Sequence, residues 1–190
     1  MLAIPMKRFD RPVLGFLSRE EMQAIPEAPD ARTWAGERDR ALFSLMYNTG
    51  ARVSEAIGLR VGEVAVNGSA VAHLHGKGRK ERSVPLWRTT AHLIRNWKRR
   101  LDYGGEENFL FPNRGGGCMA HSNVTQRLEL AVSAAAERYP QLARRSISPH
   151  TIRHTTAMHL LQSGVDISVI ALWVMRAPPR RTYTFRRISP

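Results

Sequence analysis

Segments with β-forming character are confined to one stretch of the chain, and helical patterns precede and follow it. They cover residues 61–66, 70–75 and 82–86, and the last two are joined by Gly76-Lys77-Gly78-Arg79-Lys80. A short connection that contains glycine is typical of a β-hairpin. The sequence therefore predicts an α+β fold that is mainly α-helical, with a small antiparallel three-stranded sheet.

The rest of the chain has helical spacing and capping residues. Ser18 with Glu21 predicts the start of a first helix that ends near Pro26. Ser148 at the cap and Pro149 at the first position begin another that runs to Gly164. Further helices are expected over residues 37–48, 53–59, 89–101, 123–138 and 165–173. With 190 residues, 43% of them apolar, the chain is expected to fold as one globule.

The charge of the chain favours a polyanionic partner. It has 29 Lys and Arg against 16 Asp and Glu, a formal net charge of +13, which points first to nucleic acid. An acidic membrane surface is the alternative, but the basic residues do not flank a long apolar helix, and we expect no membrane partner. A single cysteine, Cys118, excludes an internal disulfide, so a reducing compartment, the cytoplasm, is expected.

Arg52 follows a predicted helix break at Asn48-Thr49-Gly50. A guanidinium is a rigid fork of donors that matches two phosphate oxygens. Glu55 stands three residues later on the same helical face, where it could hold this fork in place. The alternative is an ordinary surface pair of arginine and glutamate.

The turn of the predicted hairpin is strongly basic. Lys77 lies between two glycines, and Arg79, Lys80 and Arg82 follow. A lysine on a mobile hairpin could reach a phosphate and protonate a leaving oxygen, and the other three could contact DNA phosphates. The alternative is a solvated loop.

His150 and Arg153 share the beginning of the helix that Ser148 caps. Their spacing puts them on one helix face, where free backbone N–H groups and the helix dipole also favour an anion. His150 can donate a hydrogen bond or transfer a proton near neutral pH, and Arg153 supplies a second fork. The alternative is a capped helix whose histidine only packs.

The three motifs together resemble those of the tyrosine recombinases of the phage integrase family. They are Asn48-Thr49-Gly50-Ala51-Arg52-Val53-Ser54-Glu55-Ala56, the hairpin from Gly76 to Leu86, and Ser148-Pro149-His150-Thr151-Ile152-Arg153-His154. The resemblance runs from about Leu17 to Trp173 and implies an integrase-like catalytic core, the fold of DNA breaking and rejoining enzymes. By that resemblance Arg52 and Arg153 bind the scissile phosphate, Lys77 is the hairpin lysine, and His150 belongs to the His-x-x-Arg motif.

After Trp173 the chain departs from the family pattern. The family spacing puts Arg176 where a histidine or tryptophan is expected, and Phe185 where the tyrosine nucleophile is expected. Arg176 can still donate to a phosphate, whereas a phenyl ring has no nucleophile. Tyr183 is the substitute candidate, two residues earlier. Tyr47, Tyr103 and Tyr139 are expected to pack.

The resemblance also implies how the chain is divided. Residues 1–17 are expected to be a linker from a missing N-terminal DNA-binding domain, and residues 18–173 the catalytic domain. Residues 174–190 are expected to be an aberrant or truncated tail. Our hypothesis is that this tail derives from a shifted reading frame or a damaged gene.

The activity that the resemblance implies is site-specific recombination or integration of DNA, as in a mobile genetic element. A tyrosine hydroxyl attacks a DNA phosphate and forms a 3′-phosphotyrosyl link. The expected partner is double-stranded DNA, with self-association on DNA in a full-length parent. Neither a Walker glycine motif nor a carboxylate cluster for metal ions is present in the sequence, so no cofactor is expected.

Two alternatives remain open. One is a catalytically dead DNA-binding remnant of a recombinase. Another is a plain basic helical domain that binds nucleic acid and has these motifs by coincidence. A type IB topoisomerase shares the chemistry, but its larger chain and different motif context fit poorly.

Overall fold

The computed structural model describes residues 15–76, 80–101 and 105–174 of the chain. These residues form helices and one sheet around a hydrophobic core. In chain order the elements are α1 (Arg19–Glu27), α2 (Trp34–Thr49), α3 (Val53–Gly58), β1 (Val64–Ala65), β2 (Val71–Gly76), β3 (Lys80–Pro85), α4 (Arg88–Arg100), α5 (His121–Ala135), α6 (Pro149–Gln162) and α7 (Ile167–Trp173), with 3-10 turns at Val61–Glu63 and Pro140–Arg144.

The sheet is antiparallel, with the strands in the order β1, β2, β3. Strands β2 and β3 pair in antiparallel register from Val71 opposite Pro85 to Gly76 opposite Lys80. The α+β class, mainly helical with a small antiparallel three-stranded sheet, is therefore confirmed.

The first expected strand, over residues 61–66, is wrong in its first half. A 3-10 turn occupies Val61–Glu63, and β1 has two residues. Tertiary hydrogen bonds favour the turn: the N–H of Val61 donates to the carbonyl of Asn108 at 2.9 Å, and Lys98 Nζ donates to the carbonyl of Val61 at 2.7 Å. β propensity is easily overridden by such contacts.

Helix α2 is the most buried helix among the described residues. Leu42, Phe43 and Leu45 of α2 are fully buried, and α2 packs against α4 on one side and α6 on another. At the start of α6 the side chain of Ser148 accepts from the backbone N–H of Thr151, as the capping residues predict. Over the described ranges, no helix has the length and apolar character required to cross a membrane.

Candidate active site

Gly50 ends α2 in a left-handed turn that places Arg52 at the start of α3. Its φ is 58°, and a Cβ at this position would lie 3.0 Å from Cγ2 of Val174. Both the backbone conformation and the tight packing against Val174 favour glycine here. The turn leaves the side chain of Arg52 at the N-cap of α3, 49% exposed.

Glu55 is a buried carboxylate to which two arginines donate. Its side chain is 3% exposed, and it accepts from the backbone N–H of Arg52 at 2.8 Å and from Arg52 Nη1 at 3.0 Å. Both terminal nitrogens of Arg82 donate to the same carboxylate, at 3.1 and 2.8 Å. Burial raises the pKa of Glu55, but the hydrogen bonds from Arg82 and Arg52 outweigh burial and leave this pKa below its ordinary value. Glu55 is therefore ionised at neutral pH.

Arg153 of α6 reaches the same junction. Its two terminal nitrogens donate to the carbonyl oxygens of Gly50 and Val174. Burial, followed by the nearby charge of Arg52, lowers the pKa of Arg153 to about 10, so the side chain is still cationic at neutral pH. The structure thus brings Arg52 and Arg153, distant in sequence, to the two sides of one turn.

His150 lies at the beginning of α6, three residues before Arg153, and is exposed. The i, i+3 spacing puts both residues on one helix face, as expected from the sequence. His154, also exposed, follows Arg153 directly. This end of α6 therefore presents an imidazole beside a guanidinium.

The other predicted site residues lie mostly outside the described part of the chain. Lys77 and Arg79 fall in the gap at residues 77–79, and Arg176 and Tyr183 follow residue 174. Lys80 begins β3. The roles of these five residues stay predictions.

Asn48, which the sequence placed in a helix break and in the first motif, has a structural role. It is fully buried. Its Nδ2 donates to the carbonyl of Pro85 at 3.2 Å, and its Oδ1 accepts from the backbone N–H of Trp87 at 2.7 Å. Its carbonyl accepts from Nε1 of Trp173 at 3.3 Å. Asn48 therefore joins the end of β3, the start of α4 and α7 beside the Arg52 turn, and its only sequence signal is its place before Thr49-Gly50.

Tyr47 is a packing residue, as expected. Its hydroxyl lies 2.7 Å from Nδ1 of His159, whose Nε2 donates to the carbonyl of Leu17 at 2.9 Å. Since Nε2 carries the proton, Nδ1 accepts from the tyrosine, and burial raises the pKa of Tyr47. Tyr139 packs against the core, and Tyr103 lies outside the described residues.

No metal centre is found in the part of the chain that the structure covers. There, no group of three or more His, Cys, Asp or Glu side chains is placed to hold a metal ion.

Residues 15–173 match the model of the phage integrase family. The chain belongs to this family. The putative integrase/recombinase y4rC of Sinorhizobium fredii is 40% identical to it over 174 residues, which cover 92% of this chain and 52% of the relative. Tyrosine recombinase XerD of Pseudomonas putida is 31% identical over 192 residues, or 99% of this chain and 62% of the relative. The chain thus spans less than two thirds of the length of either relative.

Solved structures share the fold. The XerH site-specific recombinase bound to its difH substrate, in a pre-cleavage complex, superposes with a TM-score of 0.71 and 26% identity over 85% of this chain and 47% of that one. The XerA recombinase gives a TM-score of 0.71 with 23% identity over 86% of this chain and 56% of that one. The integrase-like core expected from the motifs is therefore confirmed.

Proposed function

We propose that this chain cleaves and rejoins DNA strands as part of a site-specific tyrosine recombinase, with residues 18–173 as the catalytic domain and the tail after them supplying the nucleophile. The observation that carries the proposal is the meeting of Arg52 and Arg153 at the Gly50 turn, with Glu55 oriented toward Arg52. Two convergent guanidiniums are suited to bind the oxygens of one phosphate. The names of the relatives, tyrosine recombinases among them, support the same activity.

In the proposed reaction a tyrosine hydroxyl attacks a DNA phosphorus and releases its proton to solvent. The bond to the 5′ oxygen breaks and a 3′-phosphotyrosyl link forms. The free 5′-hydroxyl later attacks the phosphotyrosyl phosphorus of a partner strand, which releases the tyrosine. Arg52 and Arg153 stabilise the charge on the phosphorus, with His150 as a further donor. Lys77 protonates the leaving oxygen, Tyr183 supplies the nucleophile, and Arg176 donates to the phosphate.

The proposed partner is double-stranded DNA, held through phosphate contacts, with self-association on DNA as the arrangement that presents the partner strand. Arg79 and Lys80 of the hairpin are proposed phosphate contacts. The net charge of +13 supports a polyanionic partner.

A catalytically dead DNA-binding remnant is the second candidate. Phe185 favours it, because this residue occupies the position where the family spacing expects the nucleophile. Such a remnant binds duplex DNA with the same two arginines but forms no covalent product.

A nicked suicide duplex separates the two candidates. The duplex is selected from a random pool by binding to the protein, and the protein is then incubated with nicked forms of it. A recombinase forms a covalent protein–DNA adduct, which appears as a band on a denaturing gel, and Tyr183→Phe abolishes this band. Absence of the band in the wild type, with intact DNA binding, establishes the remnant and refutes cleavage.

A further inference from the structure

Arg82 lies on the interior face of the sheet. Side chains alternate along β3, and Val84 faces the core opposite Ala72, while Arg82 stands opposite the fully buried Leu74. The side chain of Arg82 is 16% exposed, against 49% for Arg52. This position is poor for a contact with a DNA phosphate, the role expected for Arg82 from the sequence.

The guanidinium of Arg82 forms two hydrogen bonds with the carboxylate of Glu55. Nη1 and Nη2 donate one hydrogen bond each to the two carboxylate oxygens, and Nε is buried with no hydrogen-bond partner among the described residues. Two parallel bonds of this kind fix the direction of the carboxylate as well as its distance.

Because Arg82 fixes the carboxylate of Glu55, the hydrogen bonds from Arg52 to this carboxylate restrict the Arg52 side chain as well. The same carboxylate accepts from the backbone and the side chain of Arg52, so the three residues form a chain of ionic hydrogen bonds from β3 to α3. If Arg82 is removed, the buried carboxylate retains, among the described residues, only its bonds to Arg52, whose side chain is half exposed.

We propose that Arg82 is a positioning residue that fixes the carboxylate of Glu55, and through it the guanidinium of Arg52, while joining the site to the β2–β3 hairpin. The inference rests on the proposed function, since Arg52 is the phosphate-binding group. Arg82→Lys retains the cation but cannot form the fork, so Arg52 gains mobility and meets the phosphate less often in the reactive geometry.

The mobility of the Arg52 side chain tests whether Arg82 positions Arg52, and this measurement does not require catalytic activity. The {1H}–15N nuclear Overhauser effect of its Nε–Hε group is measured in the wild type, Arg82→Lys and Glu55→Gln. Arg145→Lys is the matched control, because Arg145 forms another half-buried pair with a glutamate, Glu21, at 3.0 Å. We expect an ordered Arg52 in the wild type and the control, and a mobile one in the other two variants. An Arg52 that stays ordered in Arg82→Lys, or that is mobile in the wild type, overturns the proposal.

The rate of covalent trapping and the salt dependence of binding test the consequence. At saturating duplex, Arg82→Lys is expected to slow trapping by about 10- to 100-fold. The slope of log affinity against log salt is measured in Arg82→Gln, which removes the cation, and it should match the wild type. The Arg145→Lys trapping rate should be unchanged. A slope reduced by about one in Arg82→Gln, with normal trapping in Arg82→Lys, makes Arg82 a phosphate contact and overturns the proposal. If the wild type forms no adduct, the proposed function fails, while the order of Arg52 still decides whether Arg82 positions it.

Discussion

At the scale of single residues, Arg153 illustrates how the fold prepares a phosphate-binding group before DNA arrives. Two carbonyl oxygens, those of Gly50 and Val174, come from the ends of different elements and accept from its two terminal nitrogens. Burial and the charge of Arg52 lower the pKa of Arg153 to about 10, which is still well above 7. The side chain is therefore cationic at neutral pH. Such preorganised donors need little rearrangement when charge develops on a phosphorus.

Arg153→Lys should therefore impair chemistry more than binding. The planar guanidinium of arginine can donate to both carbonyls and to a phosphate oxygen at once. The compact ammonium of lysine cannot reach all three. We expect the single-turnover rate of covalent trapping to fall about 100- to 1,000-fold, the usual effect of removing one preorganised donor. Arg32→Lys is the control, since that side chain is 91% exposed and paired with Asp30. Equal rates for Arg153→Lys and wild type would remove Arg153 from the site.

At the scale of elements, helix α6 carries the site and is held by the segment before α1. The backbone N–H of Leu17 donates to Thr155 Oγ1 at 3.1 Å, and the carbonyl of Leu17 accepts from His159. Phe16 packs edge-on against the same imidazole. His159 is buried, and burial lowers its pKa, so the folded protein holds the neutral ring.

The stability of the fold should consequently depend on pH through His159. Below its ordinary pKa of 6.5 the unfolded chain takes up a proton that the folded chain takes up only at lower pH. The free energy of unfolding therefore falls as the pH is lowered below this value. Urea unfolding between pH 8 and pH 5 measures the effect in the wild type and in His159→Gln. We expect the advantage of the wild type over the variant to shrink toward low pH, and parallel curves would be inconsistent with a buried neutral ring.

Elements with local signals could be predicted from the sequence, and those set by distant contacts could not. Ser18 with Glu21, and Ser148 with Pro149, mark helix starts within a few residues of chain, and the structure has both caps. Residues 61–63 form a turn because Lys98 and Asn108 supply partners that no local pattern reveals.

In the site, too, residues with local sequence signals could be predicted, whereas contacts between distant elements could not. The motifs singled out Arg52, His150 and Arg153, and Glu55 followed from its helical spacing. The bonding of Arg82 to Glu55 depends on how β3 packs against α3, although its alternation with the apolar Val84 was a signal in the sequence. The joining role of Asn48 requires partners in β3, α4 and α7 that only the fold provides.

At the scale of the whole molecule, the excess of 29 basic over 16 acidic residues favours binding to any duplex, with or without a specific site. In the proposed function Arg52 and Arg153 contribute to this attraction and also act on the scissile phosphate.

The salt dependence of duplex binding should measure the contribution of these two arginines to the attraction. We expect a steep linear fall of log affinity with log salt, since several phosphates are neutralised at once. Arg52→Gln and Arg153→Gln should each reduce the slope by about one. Fluorescence anisotropy over a salt series measures this, with Arg32→Gln as the control. An affinity that does not change with salt would rule out backbone binding.

In the proposed function Arg52 and Arg153 bind the same DNA phosphate. Replacing single phosphates of the selected duplex by neutral methylphosphonates, one position at a time, measures this directly in the wild type and in both Gln variants. We predict one position at which neutralisation removes the affinity difference between wild type and each variant. If the affinity difference disappears at one phosphate for Arg52→Gln and at another for Arg153→Gln, the two arginines do not share a phosphate and the proposed site is wrong.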